Sequence, residues 1–164
     1  MRVAVLADTH APLRWRSCPP EVARKLEGVD LILHAGDVCR AWVLDELRGF
    51  APVRAVLGNN DTRDVADWGA PETLTLDLDG LRVGMVHDAG PAGGRARRMR
   101  RRFPHSDLVV FGHSHVPLDL ADREGPRLLN PGSPTDRRRQ PRGTMALLRV
   151  EAGALLQARI VPVT

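Results

Sequence analysis

The chain has 164 residues, 43% hydrophobic and 27% charged, which is ordinary for a soluble globular protein and enough for one domain spanning 1–164. Its formal charge of +4 rests on 23 arginines and a single lysine, Lys25. That mild excess is compatible with anionic substrates but is only modest evidence for nucleic acid. No transmembrane span is predicted, and the apolar run Val3–Ala7 stops at Asp8, too short for a signal-peptide core. Cys18 and Cys39 form neither a disulfide framework nor metal-ligand spacing, so a reduced, cytoplasmic location is expected.

In chain order, Arg2–Ala7 reads as a buried strand opening into Asp8-Thr-His10. Pro19-Pro20 starts a helix through Glu27, with proline at the first turn, where its missing N–H is harmless. Strand 30–34 runs into Ala35-Gly36-Asp37, helix 41–48 ends at Gly49, and strand 53–57 runs into Gly58-Asn-Asn-Asp61. Strand, loop and helix in repetition predict a parallel α/β sheet. From Thr73 the pattern changes: strands 73–78 and 81–86 flank the turn Asp79-Gly80, and the second ends at His87-Asp88. A helix at 95–103, then strands at 108–111, 116–121, 127–129, 144–150 and 154–161, complete a mostly antiparallel half.

Strand 108–111 is cut by Gly112 and followed by His113 and His115. In extended chain this spacing puts two imidazoles on one side, about 6–7 Å apart, as a compact metal centre requires. The other polar clusters also follow strands: Asp8 and His10, Asp37, Asn59, His87. In open α/β sheets, sites form at the carboxyl edge, so five strand ends would deliver ligands to one place. Carboxylate, amide oxygen and imidazole without thiolate suit Mn, Fe or Zn better than Ca or a structural zinc. With one shared carboxylate, seven such residues suffice for two ions.

The ordered set Asp8-x-His10, Gly36-Asp37, Gly58-Asn59, His87 and Gly112-His113-x-His115 resembles the binuclear, calcineurin-like metallophosphoesterases. Asn130-Pro-Gly-Ser133 and Pro141-Arg-Gly143 are most similar to their compact bacterial and archaeal phosphodiesterase branch, which also contains the non-enzymatic retromer scaffold subunit. The resemblance implies a four-layer α/β/β/α sandwich of two mixed sheets flanked by helices. It implies two divalent ions, manganese first, with zinc, iron, nickel and cobalt sharing such ligands. Asp8, His10 and His115 would hold one, Asn59, His87 and His113 the other, and Asp37 both. Asp37, Asn59 and His113 are then the catalytic candidates. Four positive charges less two carboxylates and a bridging hydroxide leave a centre that attracts phosphate. Ions about 3.5–4 Å apart clamp the attacking and phosphoryl oxygens while the hydroxide attacks in line.

Asn60 stands where larger family members carry a histidine proposed to protonate the leaving group, and an amide does not titrate. Activated or cyclic diesters are therefore expected to be better substrates than alkyl monoesters. Asp88 is read first as a surface acid and second as a partner of the centre; Asp61 is read as a cap of the segment after it. His34 is expected to be a packed strand residue, His105 a loop residue and Cys39 inert. Six arginines in Arg95–Arg102 invite a nucleic-acid reading, yet Ala96, Met99 and Phe103 make the same stretch an amphipathic helix with arginines outside. Arg137–Arg139 lies nearer the substrate loop, although a solvated charge run is the simpler reading. Loops 13–18, 64–70 and 88–94 should border the pocket, with Trp15 and Trp68 stacking on substrate or packing.

The sequence thus favours a metal-dependent phosphodiesterase acting on a small phosphate ester. A protein-binding scaffold on the same fold, or an enzyme on RNA or DNA ends, are the alternatives. Oligomeric state, including a homo-oligomer, stays open.

Overall fold

The computed structural model describes residues 1–164 as ten strands and four helices in two five-stranded sheets. The first sheet runs β10(Ala154–Pro162), β9(Thr144–Glu151), β1(Arg2–Leu6), β2(Leu31–His34), β3(Val53–Ala55). The second runs β4(Thr73–Leu78), β5(Leu81–Val86), β6(Leu108–Val110), β8(Arg127–Asn130), β7(Leu118–Leu120). Strands β1, β2 and β3 are parallel, as the repeating N-terminal pattern predicts. The later strands mix senses: β5, β6 and β8 are parallel neighbours, β4 and β7 flank them antiparallel, and β9 joins β1 and β10 joins β9 antiparallel.

Alternation along each strand builds the layers. In β1, Ala4 and Leu6 face a core that also takes Val22 and Leu26 of α1(Pro20–Leu26) and Val43, Leu44 and Leu47 of α2(Trp42–Arg48). Val3 and Val5 face the other way, onto Val83, Met85, Leu108 and Val110 of the second sheet. That sheet's far face packs Val109 and Leu128 against Ala96, Met99 and Phe103 at and beyond the end of α4(Arg95–Arg102). The order is helices, sheet, sheet, helix, the expected α/β/β/α sandwich.

One element departs from expectation. Residues 64–70, read as a pocket-bordering loop, contain α3(Arg63–Trp68). The helix has six residues and buries only Val65, so it shows no helical periodicity; its stop, Gly69 at φ 111°, is the one local signal. Trp68 donates to Asp45 (2.9 Å) beneath the Arg48 guanidinium, and Trp15 is fully buried and donates to Glu46 (2.7 Å), so both have packing roles.

At the end opposite the ligand loops, two tight turns clasp the sheets together. Asp79-Gly80 and Ala152-Gly153 all have positive φ, as two-residue hairpins of this type require. The Gly153 N–H donates to the Asp79 carbonyl (2.6 Å) and the Ala152 N–H to its carboxylate (3.0 Å).

His34 is the strand residue expected, wholly buried in β2, with Nε2 3.2 Å from Thr9 Oγ1 and Nδ1 unpartnered. Burial, aided by His87, pushes its pKa down to about 3. The unfolded chain takes up this proton near pH 6.5 and the folded chain refuses it, so the stabilisation is complete above pH 6.5 and is lost as pH falls toward 3. The loss totals on the order of a few kcal/mol. Urea midpoints of metal-free protein between pH 7 and 4.5 should therefore fall more steeply for wild type than for His34→Gln; parallel slopes would remove His34 as the cause.

Candidate metal centre

The candidate ligands leave five strands at one edge: Asp8 and His10 after β1, Asp37 after β2, Asn59 after β3, His87 after β5, His113 and His115 after β6. Parallel pairing within each sheet puts these ends side by side. Sharp backbone bends then aim the side chains. Asp8, His10, Asp37, Cys39, His113 and His115 all have φ between 50° and 68°, a left-handed region unfavourable to residues with a Cβ.

Main-chain groups lock the bends. Ser133 Oγ donates to the Asp8 carbonyl (2.7 Å) and Thr135 Oγ1 to that of Thr9 (2.9 Å). Asn130 Nδ2 donates to the Gly112 carbonyl (2.8 Å), so the Asn-Pro-Gly-Ser motif braces both the first and last ligand loops. Asp8 accepts the His113 N–H (3.0 Å), joining the two sheets across the centre. Asp61 is not a helix cap. Its carboxylate accepts the N–H groups of Gly58 (2.7 Å), Cys39 (2.6 Å) and Asp37 (3.1 Å), tying the β2 and β3 loops together. Asn60 holds Asp37 twice, through its backbone N–H to Oδ1 (2.8 Å) and its Nδ2 to Oδ2 (2.7 Å). Sequence reasoning reached Asn60 only as a missing acid, because a carboxamide next to an asparagine ligand carries no spacing signal.

The structure brings all seven residues together. Asp8, His10 and His115 form one cluster, and Asp8, Asp37 and His87 another, with donor atoms within 4.8 Å of each other in each. Asn59 Oδ1 lies 3.1 Å from His87 Nε2 and 3.0 Å from His113 Nδ1. Asp8, Asp37, His87 and His115 are buried, whereas Asn59 and His113 are exposed on the open side.

The proton inventory shows that this donor set fits cations. His87 Nδ1 lies 2.8 Å from the Ala35 carbonyl and His115 Nδ1 2.5 Å from that of Asp136, contacts that need the hydrogen on Nδ1. Both Nε2 atoms then point inward. His87 Nε2 faces Asp37 Oδ2 at 3.4 Å and the Asn59 oxygen; His115 Nε2 faces His10 Nε2 at 3.1 Å and Asp8 Oδ1 at 3.5 Å. Acceptors this close repel unless a positive charge lies between them: a proton in the metal-free state, where Asp8 and His87 hold one, or a metal ion once bound. Neighbouring ligands of one ion, at bond lengths near 2.1 Å, lie about 3.0–3.4 Å apart, which matches these spacings.

Charge is correspondingly uneven in the metal-free state. Burial pushes the Asp8 carboxyl up to about 7. Burial also opposes ionisation of Asp37, but hydrogen bonds from His87 and Asn60 outweigh it and hold that carboxyl below the usual range. His10 and His115 are lowered by burial; for His87 burial works the same way, yet Asp37 and Asp8 overcome it and raise the value.

Other candidates resolve as follows. Cys39 is half-buried, its thiol pushed up to about 12 by burial and by Asp61 and Asp37, with Sγ 3.5 Å from His10 Nδ1. Asp88 Oδ2 is 3.8 Å from His113 Nε2, beside a cavity of about 420 Å³ shared by Asn59, His87, His113, Glu72 and Arg102. Within α4, Arg95 donates to the Gly90 carbonyl, Arg98 to the Gly93 carbonyl (2.6 Å), Arg97 pairs with Glu124, and Arg100 donates to the Glu124 carbonyl (2.8 Å). Most of that arginine run is thus engaged in bracing neighbouring loops. His105 is an exposed loop residue.

Residues 1–153 match the calcineurin-like phosphoesterase superfamily domain, and the chain belongs to that family. Over 163 residues it is 34% identical to a probable metallophosphoesterase of Methanothermobacter thermautotrophicus, covering 98% of this chain and 92% of that protein. Vps29 of Entamoeba histolytica, solved in complex with Zn²⁺, has the same fold at 22% identity, a TM-score of 0.77 and full coverage of both chains. A novel archaeal phosphodiesterase likewise matches at 20% identity and a TM-score of 0.75 over 99% of each chain. The chain is therefore a metallophosphoesterase-family protein, and a phosphoesterase activity with divalent metal is the family's chemistry.

Two tests follow. Metal uptake displaces the protons held by Asp8 and His87, so affinity should rise with pH through neutrality. Calorimetry in two buffers of different ionisation heat should find proton release at pH 6.5 that shrinks by pH 8.5; equal release at both would contradict the assignment. A Cβ on Gly58 would lie 2.2 Å from Asp37 Oδ1, so Gly58→Ala should weaken metal binding at least tenfold in a chelator competition.

Proposed function

We propose that this protein is a metal-dependent phosphodiesterase with a two-ion centre. Asp8, His10 and His115 would hold one ion, Asn59, His87 and His113 the other, and Asp37 would touch both; manganese is the first candidate. The observation carrying this reading is the inward convergence of seven donor side chains. Divalent ions bound there would supply Lewis acidity toward a phosphoryl oxygen and a water acidified toward neutral pH.

The chain's own residues account for the rest. Ala35 and Asp136 carbonyls keep the hydrogen on Nδ1 of His87 and His115, leaving Nε2 free to ligate. Asn60 fixes both oxygens of Asp37 and so prevents its rotation. Because that carboxamide holds Asp37 and does not titrate, it does not protonate a leaving alkoxide. Leaving groups that depart without a protein acid are favoured, hence activated or cyclic diesters over alkyl monoesters. The cavity beside Asn59 and His113, about 420 Å³, has room for a leaving group of small-ligand size.

The second reading, a protein-binding scaffold, is supported by the fold shared with Vps29, a protein also solved with zinc. The complete set of seven candidate ligands favours the enzyme. The deciding experiment compares hydrolysis of bis(p-nitrophenyl) phosphate and p-nitrophenyl phosphate by metal-stripped protein with and without Mn²⁺. Diester turnover should need metal, exceed monoester turnover, and fall at least a hundredfold in Asp37→Asn. A folded protein that holds two ions and hydrolyses neither compound would point to the scaffold.

A further inference from the structure

We propose that Arg138 is the anion-binding side chain of this centre, taking a non-bridging oxygen of the substrate phosphate on the side of Asp8, His10 and His115. The inference rests on the phosphodiesterase reading for its substrate but not for its geometry.

Arg138 belongs to a loop bolted to the ligands. Ser133 Oγ, which donates to the Asp8 carbonyl, accepts the Asp136 N–H at 2.8 Å, and the Asp136 carbonyl faces His115 Nδ1. Two residues later the chain turns through Arg138 at φ 47°, a left-handed conformation unusual for arginine. The arginines of this run then diverge. Arg137 folds back onto the Gln140 carbonyl (2.7 Å). Arg138 makes no hydrogen bond or ion pair; the nearby Asp136 carboxylate is shared instead by His115 (3.7 Å) and Arg14 (4.0 Å). Its charge nevertheless reaches the site, where it stabilises ionised Asp8 and disfavours protonated His10 and His115.

Arg138 is exposed, so only water solvates its guanidinium, which leaves it available to an anion drawn to a cluster that collects divalent cations. A phosphate is such an anion, and a guanidinium offers it a planar pair of donors at any working pH. This donor does not replace the leaving-group acid that Asn60 cannot supply. Its part is separate: it offsets charge on the non-bridging oxygens without a proton transfer. The opposite cavity is different, since Glu72 and Asp88 share it with Arg102. The substrate's negative charge therefore belongs on the Arg138 side, and the group beyond it is polar and not itself anionic.

The test uses Mn²⁺-loaded full-length protein, with inorganic phosphate as the calorimetric probe and bis(p-nitrophenyl) phosphate as substrate. Arg138→Ala should bind phosphate at least tenfold more weakly and lose at least tenfold in kcat/KM, with metal content unchanged. Arg138→Lys should recover part of both, and Arg137→Ala should match wild type. Equal phosphate affinity in wild type and Arg138→Ala would overturn the inference, and so would loss of metal from Arg138→Ala, which would mark the residue as a support of the ligands. A wild type that binds metal and phosphate without turnover, with Arg138→Ala weakened in phosphate binding, would end the enzyme reading and leave the anion site standing. Wild type binding no phosphate with metal in place would end the anion site alone.

Discussion

Everything at the strand edge depends on the crowding of proton acceptors. Asp8 and Asp37, two almost fully buried carboxylates, share one space with the Nε2 atoms of His87 and His115, whose Nδ1 hydrogens are committed elsewhere. Water cannot screen them there, and burial alone penalises each charge by an amount that paired groups must offset. Asp37 is relieved by Asn60 and His87, while Asp8 retains its proton near neutrality. The metal-free fold is thus a compromise in which one carboxylate is ionised and the other is not. Cations remove the conflict, and that is why the rest of the site is arranged as a frame rather than as a set of independently placed side chains.

The frame is built almost wholly from main-chain partners. Carbonyls of Ala35 and Asp136 fix histidine hydrogens; N–H groups of Gly58, Cys39 and Asp37 converge on Asp61; hydroxyls of Ser133 and Thr135 hold the carbonyls beside Asp8. A carbonyl cannot change rotamer, so such contacts transmit the stiffness of the two sheets to the ligands. The hairpin clasp of Asp79 with Ala152 and Gly153 restrains the sheets at the far end. Sliding of one sheet over the other would have to break that clasp and the bond from His113 to Asp8 together.

How much of this the residues announced depends on the kind of signal involved. The sandwich was legible because β1, β2 and β6 alternate or run apolar over lengths that end at polar ligands, and because Ala96, Met99 and Phe103 repeat at helical spacing. The seven donors were legible because each is a metal-binding type directly after a strand. Helix α3 was not, since six residues with one buried side chain carry no period. Asp61 was misread as a cap because its real partners, Asp37 and Cys39, lie more than twenty residues away and meet it only through the sheet. Asn60 and Arg138 were obscured for the same reason: what distinguishes them is direction, set by local backbone bends that composition does not encode.

Those bends have an evolutionary consequence. Six residues at the centre occupy a backbone region that glycine enters without cost, while even aspartate, asparagine and histidine, the other residues most often found there, enter it at some cost. While cation binding is under selection, the side chains keep their places against that preference. In a descendant recruited for another purpose, the same positions would drift toward glycine, each step relaxing the fold. The centre is therefore easy to lose and slow to regain, because restoring a ligand means reinstating a local strain before any cation can repay it.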